Sequence, residues 1–478
     1  MKKKRRIRLR WIFPLVLLLI VGSLLVFAIN YNLGSDGTIS FGGLVRADTF
    51  YVIVIFLLFI PVLLTFLLAA GVFVKKKEKK KKKPVKTLIC TEDGAVVLAP
   101  GAGAASLNSK KKKEETAEVK ERFCMLGEID RNSGKYGHAI YEKGITLDMF
   151  CEDFRNYAAS RHKLYYDIED IRRFVAGMAV SKLVILQGMS GTGKTSLAHA
   201  FGSFTDNTST VIPVQPMWKE RTDLVGYYNE FTKRFNETLL LQKMYEANYS
   251  KDMYVTVLDE MNIARVEYYF AEFLSLLELP NPEERYIDVV SDKWETDPKQ
   301  LRDGRIKLPE NMWFIGTANN DDSTFAISDK VYDRAMILNL DAKSERFAAP
   351  KTKKTIISAE QFQALVDQAI KEYGVSKRNK QRLEMLDKYL IDHFHITFGN
   401  RIMKQINTYI PVYVSCGGDE LDALDDILAK KVIRKLETQN PIYLRNTAEG
   451  LIAYIDELFG AENMTLCKEH IHRLQRNA

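Results

Sequence analysis

The chain has 478 residues, 46% of them hydrophobic, and a formal net charge of +8, enough for two or three domains with cores of their own. The basic balance is confined to two segments: residues 1–10 carry +7 and residues 75–86 carry +8, leaving −7 for the rest, which argues against a broad nucleic-acid footprint on the globular part. Five scattered cysteines (Cys90, Cys124, Cys151, Cys416, Cys467) without Cys-x-x-Cys spacing read as ordinary thiols of a reducing compartment. The pairs His393/His395 and His470/His472 have no cysteine or acidic partner at zinc-site spacing.

From the N-terminus, Trp11 to Ile29 and Thr49 to Val74 are long apolar runs, each enough to span roughly 30 Å as a helix. A signal peptide is the competing reading of the first, but no small-x-small cleavage site follows it and a second span comes soon after. Basic clusters precede the first run and follow the second. Residues 1–74 are therefore expected to be a two-helix anchor in the cell membrane (spans 11–29 and 49–74), with both termini cytoplasmic. The basic flanks also suit anionic lipid. Residues 75–121, rich in lysine with a Gly/Ala/Ser stretch, are expected to be a flexible tether with at most a short strand near Ala95–Leu98.

Apolar residues at helical spacing between Leu147 and Met178 (Phe150, Phe154, Tyr157, then Ile168, Ile171, Phe174, Val175) predict two helices. Strands and helices then alternate: strand Leu183–Gln187, a helix from Ser196, strand Thr210–Val214, a helix over Thr238–Ala247, the strand ending at Asp259, a helix over Ala264–Leu279 and strand Met312–Gly316. This predicts an α/β domain with a parallel sheet, over residues 122–341. Arg285–Glu310 is polar with short β-like stretches (Tyr286–Val290, Arg305–Leu308) and reads as an inserted hairpin. Residues 342–478 read as a helical lid: Ala359–Tyr373, Lys377–His393, Asn400–Val414, Asp419–Leu436, Ala448–Phe459 and Met464–Leu474.

Two motifs carry chemistry. The strand Leu183–Gln187 runs into Gly188-Met-Ser-Gly-Thr-Gly-Lys-Thr195 and a helix-forming run, the context that makes Gly-x-x-x-x-Gly-Lys-Thr a phosphate-binding loop. Gly188, Ser190, Gly191, Thr192, Gly193 and Ser196 would form the anion cradle, with Lys194 on the outer phosphates and the Thr195 hydroxyl on Mg²⁺. About sixty residues on, Met253–Glu260 is an apolar strand ending in two carboxylates. Asp259 would hold Mg²⁺ through water and Glu260 would polarise the attacking water.

With those motifs, residues 147–440 resemble the AAA+ ATPases, and within them the dynein-related branch that includes the MoxR and McrB proteins. Asp259–Glu278 resembles the branch's Walker B segment and following helix. Phe314-Ile-Gly-Thr-Ala-Asn-Asn320 resembles its sensor 1 strand, which implies that Asn319, or in its place Asn320, orients the attacking water. Ile327–Arg334 resembles the segment that supplies an arginine finger to the neighbouring subunit, so the resemblance implies that role for Arg334. Phe398-Gly-Asn-Arg401 resembles sensor 2, implying that Arg401 contacts nucleotide from the lid, on the same side as Lys194. Trp218–Asn229 and Arg285–Glu310 resemble two inserts that contact substrates or partners in this branch.

The resemblance implies ATP and Mg²⁺ as cofactors, since Ala318-Asn-Asn-Asp-Asp322 lacks the McrB signature that goes with GTP. It also implies self-assembly into a ring, expected to be a hexamer. The function expected is a membrane-anchored ATPase remodelling a protein partner at the cytoplasmic face. Two alternatives stay open on the sequence: an McrB-like motor of a nucleic-acid defence system, and a nucleotide-dependent switch or scaffold.

Overall fold

The computed structural model describes residues 121–319, 324–341 and 344–477. The expected spans at 11–29 and 49–74, the tether's strand and Asn320 lie outside them. Among the described residues, no helix is long and apolar enough to cross a membrane.

Among the described residues, ten strands occur in chain order: β1 (Leu183–Gln187), β2 (Thr210–Pro213), β3 (Gly226–Asn229), β4 (Arg234–Glu237), β5 (Tyr254–Asp259), β6 (Tyr286–Asp288), β7 (Leu301–Arg302), β8 (Arg305–Lys307), β9 (Met312–Ala318) and β10 (Met336–Asn339). Five of them form the expected parallel sheet in the order β10-β1-β9-β5-β2. Both faces are covered, so the strands are continuous apolar runs. Val184, Leu186, Val257 and Ile315 pack under Phe154, Phe174, Phe201 and Phe204 on one side, while Leu183, Ile185, Leu258 and Phe314 meet Leu241, Tyr245, Phe270 and Phe273 on the other.

The helices Leu147–Tyr157 and Ile168–Val180 form as their spacing predicts. The single helix expected over 264–279 is broken into Val266–Tyr269 and Ala271–Glu278. Phe270 leaves helical geometry at φ −107°, ψ 7°, and its ring packs on Phe273 at 4.8 Å and Phe314 at 5.2 Å. Sequence reading also left β10 and the β3–β4 hairpin unassigned. β10 takes its place in the sheet through its parallel register with β1, Val184 beside Met336.

The inserted hairpin is present as β6, β7 and β8. It is tied to the first described residues by Arg122, whose side chain is 1% exposed. The guanidinium grips Asp297 through two bonds of 2.7 Å, donates to Asp292 at 3.0 Å, and lies 4.5 Å over the Trp294 ring. The same entry segment is held to the other hairpin, because Glu237 of β4 accepts the backbone N–H groups of Cys124, Met125 and Leu126 at 2.7–3.0 Å.

After β10 the described elements are helical: Ala359–Glu372, Lys377–Phe394, Asn400–Ser415, Glu420–Lys431, Pro441–Phe459 and Thr465–Asn477. Four of them start behind side-chain caps, Ser358 with a full capping box to Gln361, Ser376, Asp419 and Asn440, whereas Asn400–Ser415 starts after Gly399 without one. The expected boundary at 341/342 marks a change of element type. It does not divide the apolar core, for one contiguous cluster runs from Val184 and Trp313 through Phe362 to Leu428 and Ile455. Cys151, Cys416 and Cys467 are buried free thiols.

The lid also grips the segment between β9 and β10. Lys431, 3% exposed, donates to Tyr332 O at 2.6 Å and to Ala335 O. Gln405 donates to Asp333 O at 3.1 Å, and Arg434 pairs with Asp329 at 2.7 Å. Burial pulls the Lys431 ammonium down from 10.5 to about 7. A lysine with a depressed folded value takes up a proton on unfolding between the two values, so raising the pH through that window stabilises the fold. The stability of wild type relative to Lys431→Met should therefore grow by roughly 1 kcal/mol per pH unit between pH 7.5 and 9.5, measured by denaturant titration at each pH. A constant difference would mean that Lys431 titrates normally.

Candidate functional site

Parallel pairing decides where the site lies. β1, β9 and β5 are neighbours running the same way, with Gln187 beside Ala318 and Leu258 beside Gly316. The residues that follow them, Gly188, Asn319 and Asp259 with Glu260, therefore emerge at one edge of the sheet, where α/β folds place ligands.

The loop after β1 is shaped by glycine. Gly188 has φ 141°, and a Cβ there would lie 2.3 Å from Leu340 O, which belongs to the chain leaving β10. Gly191 and Gly193 also have positive φ, and the Gly193 carbonyl accepts the Tyr166 hydroxyl at 3.0 Å. Ser190, Gly191 and Thr192 form the loop's outer turn, closed by Thr192 Oγ1 donating to Met189 O at 3.0 Å. The helix Lys194–Phe204 then begins, presenting the N–H groups of Lys194, Thr195 and Ser196 at its first turn. Lys194 is only 7% exposed, and its ammonium donates to Gly188 O at 2.9 Å and Met189 O at 2.7 Å.

At the end of β5, Asp259 Oδ1 accepts the Thr195 hydroxyl at 2.7 Å and the Thr317 hydroxyl at 2.9 Å. Thr317 Oγ1 in turn accepts the backbone N–H of Glu260 at 2.9 Å. A hydroxyl and a carboxylate oxygen brought this close at a phosphate loop are the hard oxygen donors that Mg²⁺ takes, so the residues fit the ion expected there. Glu260 adopts the left-handed conformation (φ 51°, ψ 48°), which costs a non-glycine residue about 1 kcal/mol or more, and its side chain is exposed at the sheet edge. The strain turns the chain so that Asp259 and Glu260 serve different roles from adjacent positions.

Asn319 directly follows β9. Its carbonyl is fixed by Asn262 Nδ2 at 3.0 Å and by the Thr324 hydroxyl at 3.1 Å, tying the residue after β9 to the turn after Glu260. Thr317, Asn262 and Tyr166 were not singled out from sequence. Thr317 and Asn262 lie within the motifs already marked, whereas Tyr166 gives no sequence signal, because its role comes from the chain folding back over the loop.

The two arginines meet on one carboxylate. Arg334 pairs with Glu278 Oε2 at 2.6 Å and donates to Lys330 O at 2.9 Å. Arg401, in the first turn of the helix Asn400–Ser415, pairs with the other oxygen of the same carboxylate. The cause is the lid's grip on residues 329–335, which brings the start of the 400–415 helix to the arginine segment.

With the geometry in place, comparison with known proteins gives one family match: residues 183–335 fit the model of the AAA domain, dynein-related subfamily. No curated protein matches the chain significantly. Among solved structures, the chain is similar to a crystal structure assigned as an ATPase from Cytophaga hutchinsonii (13% identity, 69% of this chain and 96% of that one, TM-score 0.42). It is also similar to NtrX from Brucella abortus (15% identity, 64% of this chain and 66% of that one, TM-score 0.24). Both superpose poorly, and the family match with the site above is what identifies the domain. Residues 183–335 are a AAA domain of the dynein-related subfamily, and the chain that carries it is an ATPase.

Proposed function

We propose that this ATPase works as a ring tethered to a membrane, using ATP hydrolysis to remodel a protein partner at the cytoplasmic face. The observation that carries this reading is the separation of the catalytic groups into two sets. Lys194, Thr195, Asp259, Glu260 and Asn319 gather at the sheet edge, while Arg334 and Arg401 gather on Glu278. Phosphoryl transfer to water is governed by positioning and charge stabilisation, and a second cationic set in each subunit suits the site of the next one.

The chain's own groups divide the work. The loop N–H groups and Lys194 bind and orient the phosphates, and Thr195 with Asp259 would hold Mg²⁺, which when bound neutralises phosphate charge. Glu260 takes the proton of the attacking water at its carboxylate, with Asn319 orienting that water. Thr317 keeps Asp259 and Glu260 in register.

The partner contact is supported by the β3–β4 hairpin. Asn229 Oδ1 accepts the N–H groups of Phe231 and Thr232, shaping a tight tip, and Phe231 there is 99% exposed, with Tyr227 beside it 52% exposed. Exposed aromatics on a built turn are suited to gripping a polypeptide. The −7 charge outside the two basic segments favours a protein partner over nucleic acid. The membrane tether is supported by the two apolar runs and their basic flanks.

Glu260→Gln should retain ATP binding and lower turnover by about 10²-fold or more, measured as steady-state phosphate release beside nucleotide binding; equal turnover in mutant and wild type would remove Glu260 from the chemistry. Thr317→Val should lower kcat about 10-fold through loss of both hydroxyl bonds, with the fold intact by circular dichroism. A protein partner should accelerate hydrolysis and single- or double-stranded DNA should not; stimulation by DNA would favour a nucleic-acid motor instead. In intact cells, a thiol placed in the 30–48 loop should react with an impermeant maleimide, while one placed at residue 478 should not. The opposite labelling pattern would reverse the topology.

A further inference from the structure

We propose that Glu278 is a positioning residue for hydrolysis: it holds Arg334 and Arg401 together as one cationic unit presented to a neighbouring subunit's nucleotide. The inference rests on the reading of Arg334 as acting on the next subunit. Three elements meet at this carboxylate. Glu278 ends the helix Ala271–Glu278, which follows the turn bearing Glu260; Arg334 closes the segment after the short helix Asp329–Tyr332; Arg401 belongs to the lid.

Each Glu278 oxygen takes one arginine, Oε2 at 2.6 Å from Arg334 and Oε1 against Arg401. Two guanidinium groups side by side repel one another, and the shared carboxylate is what makes their proximity favourable. The pairing leaves the arginines free to act. A guanidinium has five N–H donors in a rigid fork, and Glu278 and Lys330 O engage the two terminal nitrogens of Arg334 through one contact each. The Arg401 side chain is 49% exposed, so further donors face outward.

The backbone under Arg334 is separately fixed. Lys431 and Gln405 hold the carbonyls of residues 332, 333 and 335, and Ser181 donates to Arg334 O at 2.7 Å. Glu278 is thus the part of this arrangement that sets where the two charged ends point. It also joins them to the helix Ala271–Glu278, the second α-helix after the subunit's own Glu260.

The test uses full-length protein with Glu278→Gln, Glu278→Asp, Arg334→Ala and Glu260→Gln. A glutamine keeps the shape but loses the charge and turns one of the two accepting oxygens into an NH₂ donor, which faces the arginine that oxygen held. Glu278→Gln should lower kcat about 10-fold or more through misplacement of the arginines, with ATP affinity and KM within about twofold of wild type; Glu278→Asp should recover part of the loss. Mixing Glu278→Gln with Glu260→Gln should restore turnover above the sum of the two alone, because the second variant supplies intact arginines to the first one's intact site. Arg334→Ala mixed with Glu260→Gln should behave the same way.

Unchanged kcat in Glu278→Gln overturns the proposal, as does a matching loss of ATP affinity. Restoration of Arg334→Ala but not of Glu278→Gln would assign Glu278 a structural role only. Failure of both mixtures would remove the neighbour-acting reading of Arg334, and the proposal with it.

Discussion

The parallel pairing of β1, β9 and β5 is the constraint on which the rest depends. Because the three strands run the same way and are buried on both faces, each must leave the sheet at the same edge. A phosphate loop, an acidic pair and an asparagine from segments far apart in sequence are thereby delivered to one place. Thr317 sharpens this from proximity to register: one hydroxyl donates to Asp259 and accepts from the Glu260 backbone. A buried hydroxyl that satisfies two neighbours at once transmits small shifts of β9 to both carboxylate-bearing residues.

The lid extends the same logic. It shares the apolar cluster beneath the sheet and holds residues 329–335 by side chains donating to backbone carbonyls. Arg334 and Arg401 therefore meet on one carboxylate, which ends the helix Ala271–Glu278. A ring built from such units would link the state of each site to the arginines presented to the next.

Much of this was legible in the residues. The phosphate loop, the acidic strand end and the two helices before β1 formed where spacing and context put them, since each rests on a local rule: glycine at positive φ, apolar periodicity, a strand long enough to show its composition. Three lid helices, at Ala359, Lys377 and Glu420, start within one residue of the expected position behind Ser358, Ser376 and Asp419 caps, whereas the helix expected from Ala448 starts seven residues earlier, at Pro441 behind Asn440. β10 and the β3–β4 hairpin were not legible in the sequence; β10 is held by its register with β1, and β3 and β4 by pairing with each other. The break at Phe270 came from ring packing against Phe273 and Phe314, which no helix-period rule contains. The meeting of Arg334 with Arg401 was hidden for a related reason: motif positions fix what a residue resembles, whereas its partner depends on how the lid docks.

Specific ATPase activity of the wild-type full-length protein, followed across protein concentration at saturating ATP, tests the central claim most directly. A site completed by the next subunit's arginines requires activity per subunit to rise steeply with concentration and then saturate as rings form. Activity per subunit that stays constant down to concentrations where only monomers remain would contradict it.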